Sequence, residues 1–508
     1  MNRRSFIIGS AAGALGVTGA SFLGGCSPTN TQGEEANENS GSNAATPDET
    51  ISADIVVVGG GMSGLAAAVQ AAQLEKTVVL LECTGILGGN GAGTEGIFAV
   101  NSHMQQEQGI EITLAEVVAH EQEFFNYKVN ALLWKDLVEA SGENISWLEE
   151  NGVRFSGVVD DYPPMGAIPA FHWWADHSAQ SYIEPMGAKA EELGVDIRLN
   201  TRGRSLIINN GAVAGILAET ADGSLLQIDT KAVILASGGY AGNMEKLASL
   251  GINTDMVNYL GMEGHNGDGL EMAVQAGAMD ISLNASYLRE TTVAGSTPAD
   301  PACQFLMTNS TPIWVNQDAE RFVNEDCLSV TSGCVSNACS NQEAIFGIFG
   351  QSTIADDTTG VAENLQTLID GGNGDIHIAD TVQELAEALG VDTEALQTTL
   401  DRYNAFCSSG TDEDFAKPAN KLISIEAPYY GLRLSYAYMC SIGGIRSNRN
   451  AEILDPQGKP IPGLYAAGAD GCQLYGGTYT ITMPGSFNGN NIYSGRNAAK
   501  HAAAFIEA

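Results

Sequence analysis

The stretch "DIVVVGGGMSGLAAAVQAAQLEKTVVLLE", residues 54–82, constrains what this chain can fold into more than any other. Ile55 to Val58 is a short apolar run with the branching of a buried strand. It enters a glycine turn, Gly59-x-Gly61-x-x-Gly64, that includes Ser63. Leu65 to Leu74 has helical composition, and Thr77 to Leu81 reads as a second strand ending at Glu82. In such a unit the first glycine permits the tight turn, the second lets a pyrophosphate approach the backbone, and the third lets helix pack on strand. The helix N-terminus offers free N–H groups to phosphate, and an acid about 20 residues on can hold ribose hydroxyls. Every part of the context that makes the glycine pattern meaningful is present, so a dinucleotide-binding βαβ unit is predicted.

Later segments choose the dinucleotide. "LGGNGAGTEGIFAVNS" places Gly88, Gly89, Asn90 and Gly96 just after the second strand. "AVILASGGYAGN" is another apolar strand running into Ser237 and Gly238. Near the C-terminus, "PIPGLYAAGADG" is a strand ending at Gly468 and Asp470, and "MPGSFNGNNIYSGRNAAKHAAAF" is a turn with Ser486, Phe487 and Asn488 that opens a helix. Distant segments returning to one cofactor are the pattern of the large FAD-containing flavoproteins. FAD is therefore the expected cofactor.

From about Asp54 onward the chain resembles the flavoprotein subunit of the FAD-dependent fumarate reductase/succinate dehydrogenase family, in its soluble, single-chain, flavocytochrome c-type branch. The first glycine motif carries the resemblance, with "ASGGY" at 236–240, "GHNGDGLEMAVQAGA" at 264–278, "NQDAERFVNED" at 316–326, "SIGGIRSNRNAEI" at 441–453 and "GLYAAGAD" at 463–470. These motifs add Asp268, Gly443 and Gly444 to the expected FAD contacts. The resemblance implies an α/β fold: a split Rossmann-like FAD-binding domain, 51–283 and 443–508, with an α+β substrate-capping domain, 284–442, inserted. It also implies hydride transfer from reduced flavin to an activated C=C bond, with a proton delivered to the neighbouring carbon. Noncovalent FAD is expected, since no histidine follows the Gly88-Gly89 turn where membrane-bound relatives attach theirs; His103 lies farther on.

In the family's fumarate reducers an arginine donates the proton, an Arg/Glu relay feeds it, and two histidines and another arginine grip the carboxylates. Aligned by motif, the acid position falls on Ser329, the relay on Phe305 and Thr308, the histidines on Arg289 and Cys440, and the last arginine on Ser486. The dicarboxylate clamp is missing. The candidates for the proton are Tyr475 and Tyr479 in "LYGGTYTITMPG", Tyr438 beside Tyr436, and Arg289; a phenol tuned by burial can serve a developing carbanion or enolate. Cys440 reads as a space-filler, Arg321 and Glu325 as structural, and Trp173, Trp174 and His177 as packing. The acceptor is expected to be a small neutral or monoanionic organic molecule such as an arylacrylate or enone. Two other readings stay open: a flavoenzyme similar to 3-ketosteroid dehydrogenases, and a non-catalytic electron-relay flavoprotein.

The first 50 residues carry a separate message. "RRSFIIGSAAGALGVTGASFLGGC" has two arginines, an apolar run diluted with glycine and no acid, as in a twin-arginine export signal. Leu23-Gly24-Gly25-Cys26 resembles a lipoprotein cleavage box. The expectation is a signal at 1–25, lipid on Cys26, a disordered polar tether over 26–50, and location on the outer face of the cytoplasmic membrane in anaerobic respiration. That route carries folded cargo, which suits a cofactor inserted before export. The net charge of −38 argues against nucleic acid and anionic lipid as partners. It suits docking to a cytochrome or a quinol-linked electron donor. Nine cysteines contain no pair of C-x-x-C motifs and no C-x-x-C-H, so no metal site is assigned and partly buried thiols are expected.

Overall fold

The two apolar runs of the opening motif lie side by side in the middle of a sheet. In this computed structural model, Ile55–Val58 pairs in parallel with Val78–Leu81 on one side and Ala232–Leu235 on the other. Pro460–Ala466 extends the sheet beyond Ala232–Leu235, Asp196–Arg198 closes the far edge, and Glu452–Leu454 adds an antiparallel strand to Pro460–Ala466. All four residues of each central strand are buried, which is why they read as unbroken apolar runs rather than alternating ones. The structure describes residues 46–508 apart from 164–165, 298–299, 330–336 and 356–357, and apart from the side chains of 288–290 and 329. The export signal, Arg3, Arg4, Cys26 and most of the expected tether lie outside the described residues.

The helix Met62–Gln73 is buried along nearly its whole length because it is clamped between this sheet and the C-terminal helix Ser486–Glu507. Small side chains permit the approach. A Cβ on Gly64 would lie 1.8 Å from the Gly59 carbonyl oxygen, and one on Gly495 would lie 2.3 Å from that of Ser63. A three-stranded sheet, Gly96–Phe98 with Phe171–Trp174 and Phe155–Asp160, packs beside the C-terminal helix. In a four-stranded sheet Glu49–Ser52 pairs in parallel with Leu225–Asp229. Glu49 and Thr50, expected in the tether, therefore belong to a strand at a sheet edge, which corrects the expected boundary.

The third large sheet is built on the long strand Tyr429–Ile442. It pairs with Val257–Tyr259, Ser286–Val293, Ile345–Gly350 and Ile376–Ala379, and Ile313–Asn316 flanks Ile345–Gly350. This sheet thus draws on Val257–Tyr259 as well as on residues 284–442. One apolar cluster runs from Val56 and Val58 through Tyr240 to Phe349 and Leu432, and residues 46–508 form a single compact unit. Arg321, Glu325, Asp412 and Lys417 form a buried charged cluster beside this sheet. The Arg321 guanidinium donates to both Glu325 oxygens at 2.9 and 2.8 Å and to Asp412 at 3.0 Å, and Lys417 Nζ lies 3.3 Å from Glu325. Arg321 and Glu325, read from the sequence as structural, are both held in this cluster.

Candidate active site

The glycine turn, the start of the first helix and the residues after the second strand wall a cavity of 310 Å³. Gly59 takes φ +110°, and a Cβ there would lie 2.2 Å from the Ala236 carbonyl oxygen, so the position admits no side chain. A Cβ on Gly61 would find nothing nearer than the Gly88 carbonyl oxygen at 3.8 Å, leaving the backbone open for close approach by a ligand. The first helix has no side-chain cap and no acid in its first turn, so its N–H groups are available to phosphate. Glu82, 7% exposed, holds two loops at once. Its Oε2 accepts from Gly60 N–H at 2.8 Å, and its Oε1 accepts from the N–H and hydroxyl of Thr84 at 2.8 and 2.7 Å. An open cradle at a helix N-terminus, with a buried acid at the end of the next strand, fits FAD.

Of the expected FAD contacts, Gly59, Gly61, Ser63, Glu82, Gly88, Gly89, Asn90, Ser237, Gly238, Asp268 and Phe487 line this cavity. The others stand behind it or beside it. Gly64 and Gly468 are packing glycines; a Cβ on Gly468 would lie 2.3 Å from Ser63 Oγ. Gly96 belongs to the strand Gly96–Phe98, and its carbonyl accepts from Asn488 at 2.7 Å, which turns Asn488 away from the cavity. Asp470 accepts from the N–H groups of Ser237 and Gly239 at 2.6 and 3.0 Å and shapes that turn from below. Its complete burial pushes its carboxyl above the usual carboxylate range. Gly443 and Gly444 line a second cavity instead.

Several wall residues escaped the sequence reading. Arg202 binds Asp268 through two hydrogen bonds of 2.6 Å. His265 shares a 2.8 Å hydrogen bond with the Met262 carbonyl through Nδ1, which turns Nε2 toward Gly238. Asn491 and Cys83 also face the cavity. Burial beside Glu82 pushes the Cys83 thiol up to about 12, so it stays neutral. Only the "GHNGDG" motif hinted at this part of the wall; Arg202 carries no local signal.

The second cavity, of 560 Å³, is lined by Lys128, Asn130, Ser286, Arg446 and Tyr475 together with the two glycines. Cys440 and Phe487 face the first cavity and Tyr475, Ile442 and Cys472 face the second, and all five belong with Tyr479 to one apolar cluster. Tyr475 and Tyr479 stand edge to face at 5.4 Å. The Tyr475 hydroxyl lies 2.9 Å from Ser486 Oγ, and Tyr479 Oη accepts from Gly485 N–H at 3.1 Å. Burial drives the Tyr475 phenol well above its usual range. That of Tyr479 rises only to about 12, because Ser486 and Gly485 oppose the effect of burial.

The other candidates are placed differently. Tyr438 is fully buried and packs edge to face with Tyr287 at 5.3 Å, so it belongs to the core between sheet and cap. Arg289 is the register partner of Tyr438 across the paired strands; its side chain lies outside the described residues, as does that of Ser329. Trp174 is buried, and Trp173 packs 4.4 Å from His177. Among the described residues, no group of three or more His, Cys, Asp or Glu could hold a metal ion.

A family model described as an FAD binding domain matches residues 54–482. The vinyl phenol reductase of Lactiplantibacillus plantarum is 31% identical over 89% of this chain and 96% of its own length. The urocanate reductase of Eggerthella lenta is 31% identical over 82% of this chain and 70% of its own. Among solved structures, the open conformation of a flavocytochrome c3 fumarate reductase superposes with a TM-score of 0.68 at 25% identity, covering 91% of this chain and 80% of that one.

Proposed function

The chain belongs to the FAD binding domain family, with fumarate reductase flavoproteins among its relatives, and on that premise we propose that it reduces the activated C=C bond of a small aryl-substituted or enone acceptor. The relatives named above are reductases of vinyl phenol, urocanate and fumarate; each of these molecules carries a C=C bond, which supports reduction over the ketosteroid-dehydrogenase and electron-relay readings. When bound, FAD supplies hydride for such a bond.

The observation that carries the acceptor class is the apolar and phenolic cluster to which Cys440 and Phe487 of the first cavity, Tyr475 of the second and Tyr479 all belong. A dianion sealed there would leave charge unpaired, at a cost of several kcal/mol. Arg202 is committed to Asp268. Lys128 and Arg446 line the second cavity, not the first. Tyr479 is the proton donor: Gly485 N–H, at the start of the 22-residue C-terminal helix, steadies the phenolate left behind. FAD is held noncovalently, so acid precipitation leaves a colourless pellet; a yellow one overturns this.

The test supplies electrons from a reduced viologen without oxygen and compares fumarate with vinylphenols, cinnamate-like acids and steroid enones. Fumarate turned over as fast as the best of these would defeat the reading. Tyr479→Phe should lower kcat by about 10²–10⁴. The twin-arginine stretch and Cys26 support export and lipid anchoring, with electrons from a cytochrome or quinol-linked donor. Cys26→Ser should then release active protein from the membrane fraction; retention there would refute the anchor.

A further inference from the structure

The cavity of 560 Å³ shares no lining residue with the FAD cavity, and its charges stand out in this chain. Against 61 acids there are 23 lysines and arginines, and cations elsewhere are taken: Arg449 is held by Asp136 and Lys246 by Asp280. Lys128 and Arg446 both line the cavity, and neither forms an ion pair among the described residues. The Arg446 guanidinium has the Met279 sulfur, 3.2 Å from Nη1, as its partner. A thioether is a weak, neutral acceptor, so the charge stays uncompensated.

The loop after Tyr475 fixes where Lys128 stands. A Cβ on Gly476 would lie 2.9 Å from the Lys128 carbonyl oxygen, so a side chain there would force the two segments apart. A Cβ on Gly477 would meet Lys128 Nζ at 4.0 Å. The Gly477 N–H donates to Ser286 Oγ at 3.0 Å. Ser286 is 2% exposed and lines the cavity, and its own O–H has no acceptor among the described residues. Gly477 therefore neighbours both an ammonium and a buried hydroxyl with a proton to donate.

Much of the remaining wall is apolar, with Val129, Leu132, Ala285, Ile442 and the Tyr475 ring. Apolar side chains also stand in water at the mouth: Leu132 is 55% exposed, and Leu283, between the lining residues Ile281 and Asn284, is 81% exposed. An inorganic anion would satisfy the cations and cover none of this surface. A neutral apolar molecule would cover it and leave the cations unpaired.

We propose that this cavity binds a small aryl-substituted monocarboxylate, at a site separate from those of FAD and the acceptor. The Lys128 ammonium and the Ser286 hydroxyl donate to the carboxylate, and Arg446 adds a second positive charge to the wall. The aryl group covers Ile442, Leu132 and the Tyr475 ring. No bond is made or broken.

The probe is 3-phenylpropanoate, which has no activated C=C bond to reduce. Titrated calorimetrically into FAD-loaded holoprotein at low salt, it should bind one to one, with 3-phenylpropanamide and acetate each at least about tenfold weaker. Binding should weaken as salt rises. Lys128→Gln combined with Arg446→Gln should raise Kd at least about tenfold. In the wild type, bound probe should shield Lys128 from acetic anhydride, read on its peptide by mass spectrometry, while the exposed Lys459 reacts as before. Saturating probe should leave the KM for a neutral enone unchanged, and this outcome is independent of which acceptor is turned over fastest. A probe that competes with the enone occupies the acceptor's site, and one that displaces FAD occupies the first cavity. Equal affinity for the amide or for acetate removes the charged or the apolar half of the site. Each of these results overturns the proposal, as does a Kd above about 10 mM. Should the double variant fail to fold, an unshielded Lys128 in the wild type is equally fatal.

Discussion

Replacing Glu82 by glutamine keeps the shape and removes the charge, and the geometry separates its two consequences. A carboxylate offers about four lone-pair sites. Gly60 N–H takes one on Oε2, and the N–H and hydroxyl of Thr84 take both on Oε1, which leaves one site on Oε2 for a ribose hydroxyl. A glutamine that keeps its oxygen on Thr84 turns an NH₂ toward Gly60 N–H, donor against donor. That orphaned N–H costs about 1–3 kcal/mol whether or not FAD is bound, so it lowers the stability of the apoprotein and leaves affinity unchanged. The lost ribose contact, a hydrogen bond to a charged acceptor, is worth about 1.5–3 kcal/mol, or about 10- to 150-fold in Kd for FAD. Apoprotein of Glu82→Gln should therefore melt earlier in calorimetry and bind FAD that much more weakly in a fluorescence titration. A lower melting temperature with Kd within twofold of wild type would mean that Glu82 is only a loop staple.

Gly64→Ala should cost more than about 3 kcal/mol and abolish FAD retention on purification, since its methyl would meet the Gly59 carbonyl oxygen at 1.8 Å; soluble yellow protein would contradict this. Glu325→Gln strips a buried carboxylate from Arg321 and Lys417 and should destabilise by about 3–5 kcal/mol in urea denaturation; a loss within 1 kcal/mol, about the value of an exposed pair, would refute the buried network. His172 is buried, with a hydrogen bond to Ser102 of 2.6 Å, and burial lowers it from 6.5 to about 4. Between those values the unfolded chain binds the extra proton, so stability falls as pH drops from about 6.5 to 4, by about 3 kcal/mol in all; His172→Gln should flatten that slope, and an unchanged slope would exclude His172 as its source.

What the sequence made legible was local. Gly59, Gly61 and Gly64 could be read because strand, turn and helix follow one another within a few residues, and the burial of all three elements keeps their composition apolar. Arg202 and His265 could not, because each reaches the cavity by a tertiary return that leaves no spacing signal around it. Several residues expected as contacts support the wall from behind: Asp470 holds the Ser237–Gly239 turn and Asn488 holds Gly96. Motif position does not distinguish a residue that touches a ligand from one that holds its neighbour.

The chain's charge offers a physical reason for phenols, not cations, at the proposed acceptor site. With 23 lysines and arginines against 61 acids, every strongly buried cation among the described residues is already held by the fold. Arg321 and Lys417 serve Glu325, and Arg496, inside the C-terminal helix, is bound to Gln70, Asn144 and Glu143. A further buried arginine at the wall of Cys440 and Phe487 would need its own acid, and a second charge would then have to be desolvated beside the acceptor. A phenol can deliver a proton as a neutral group, and burial, which penalises charge, keeps it in the form that donates. The arrangement favours acceptors that arrive uncharged, whose KM should hold steady between low and high salt. A KM that rises steeply with ionic strength for a neutral enone would mean that cations, not phenols, govern that wall.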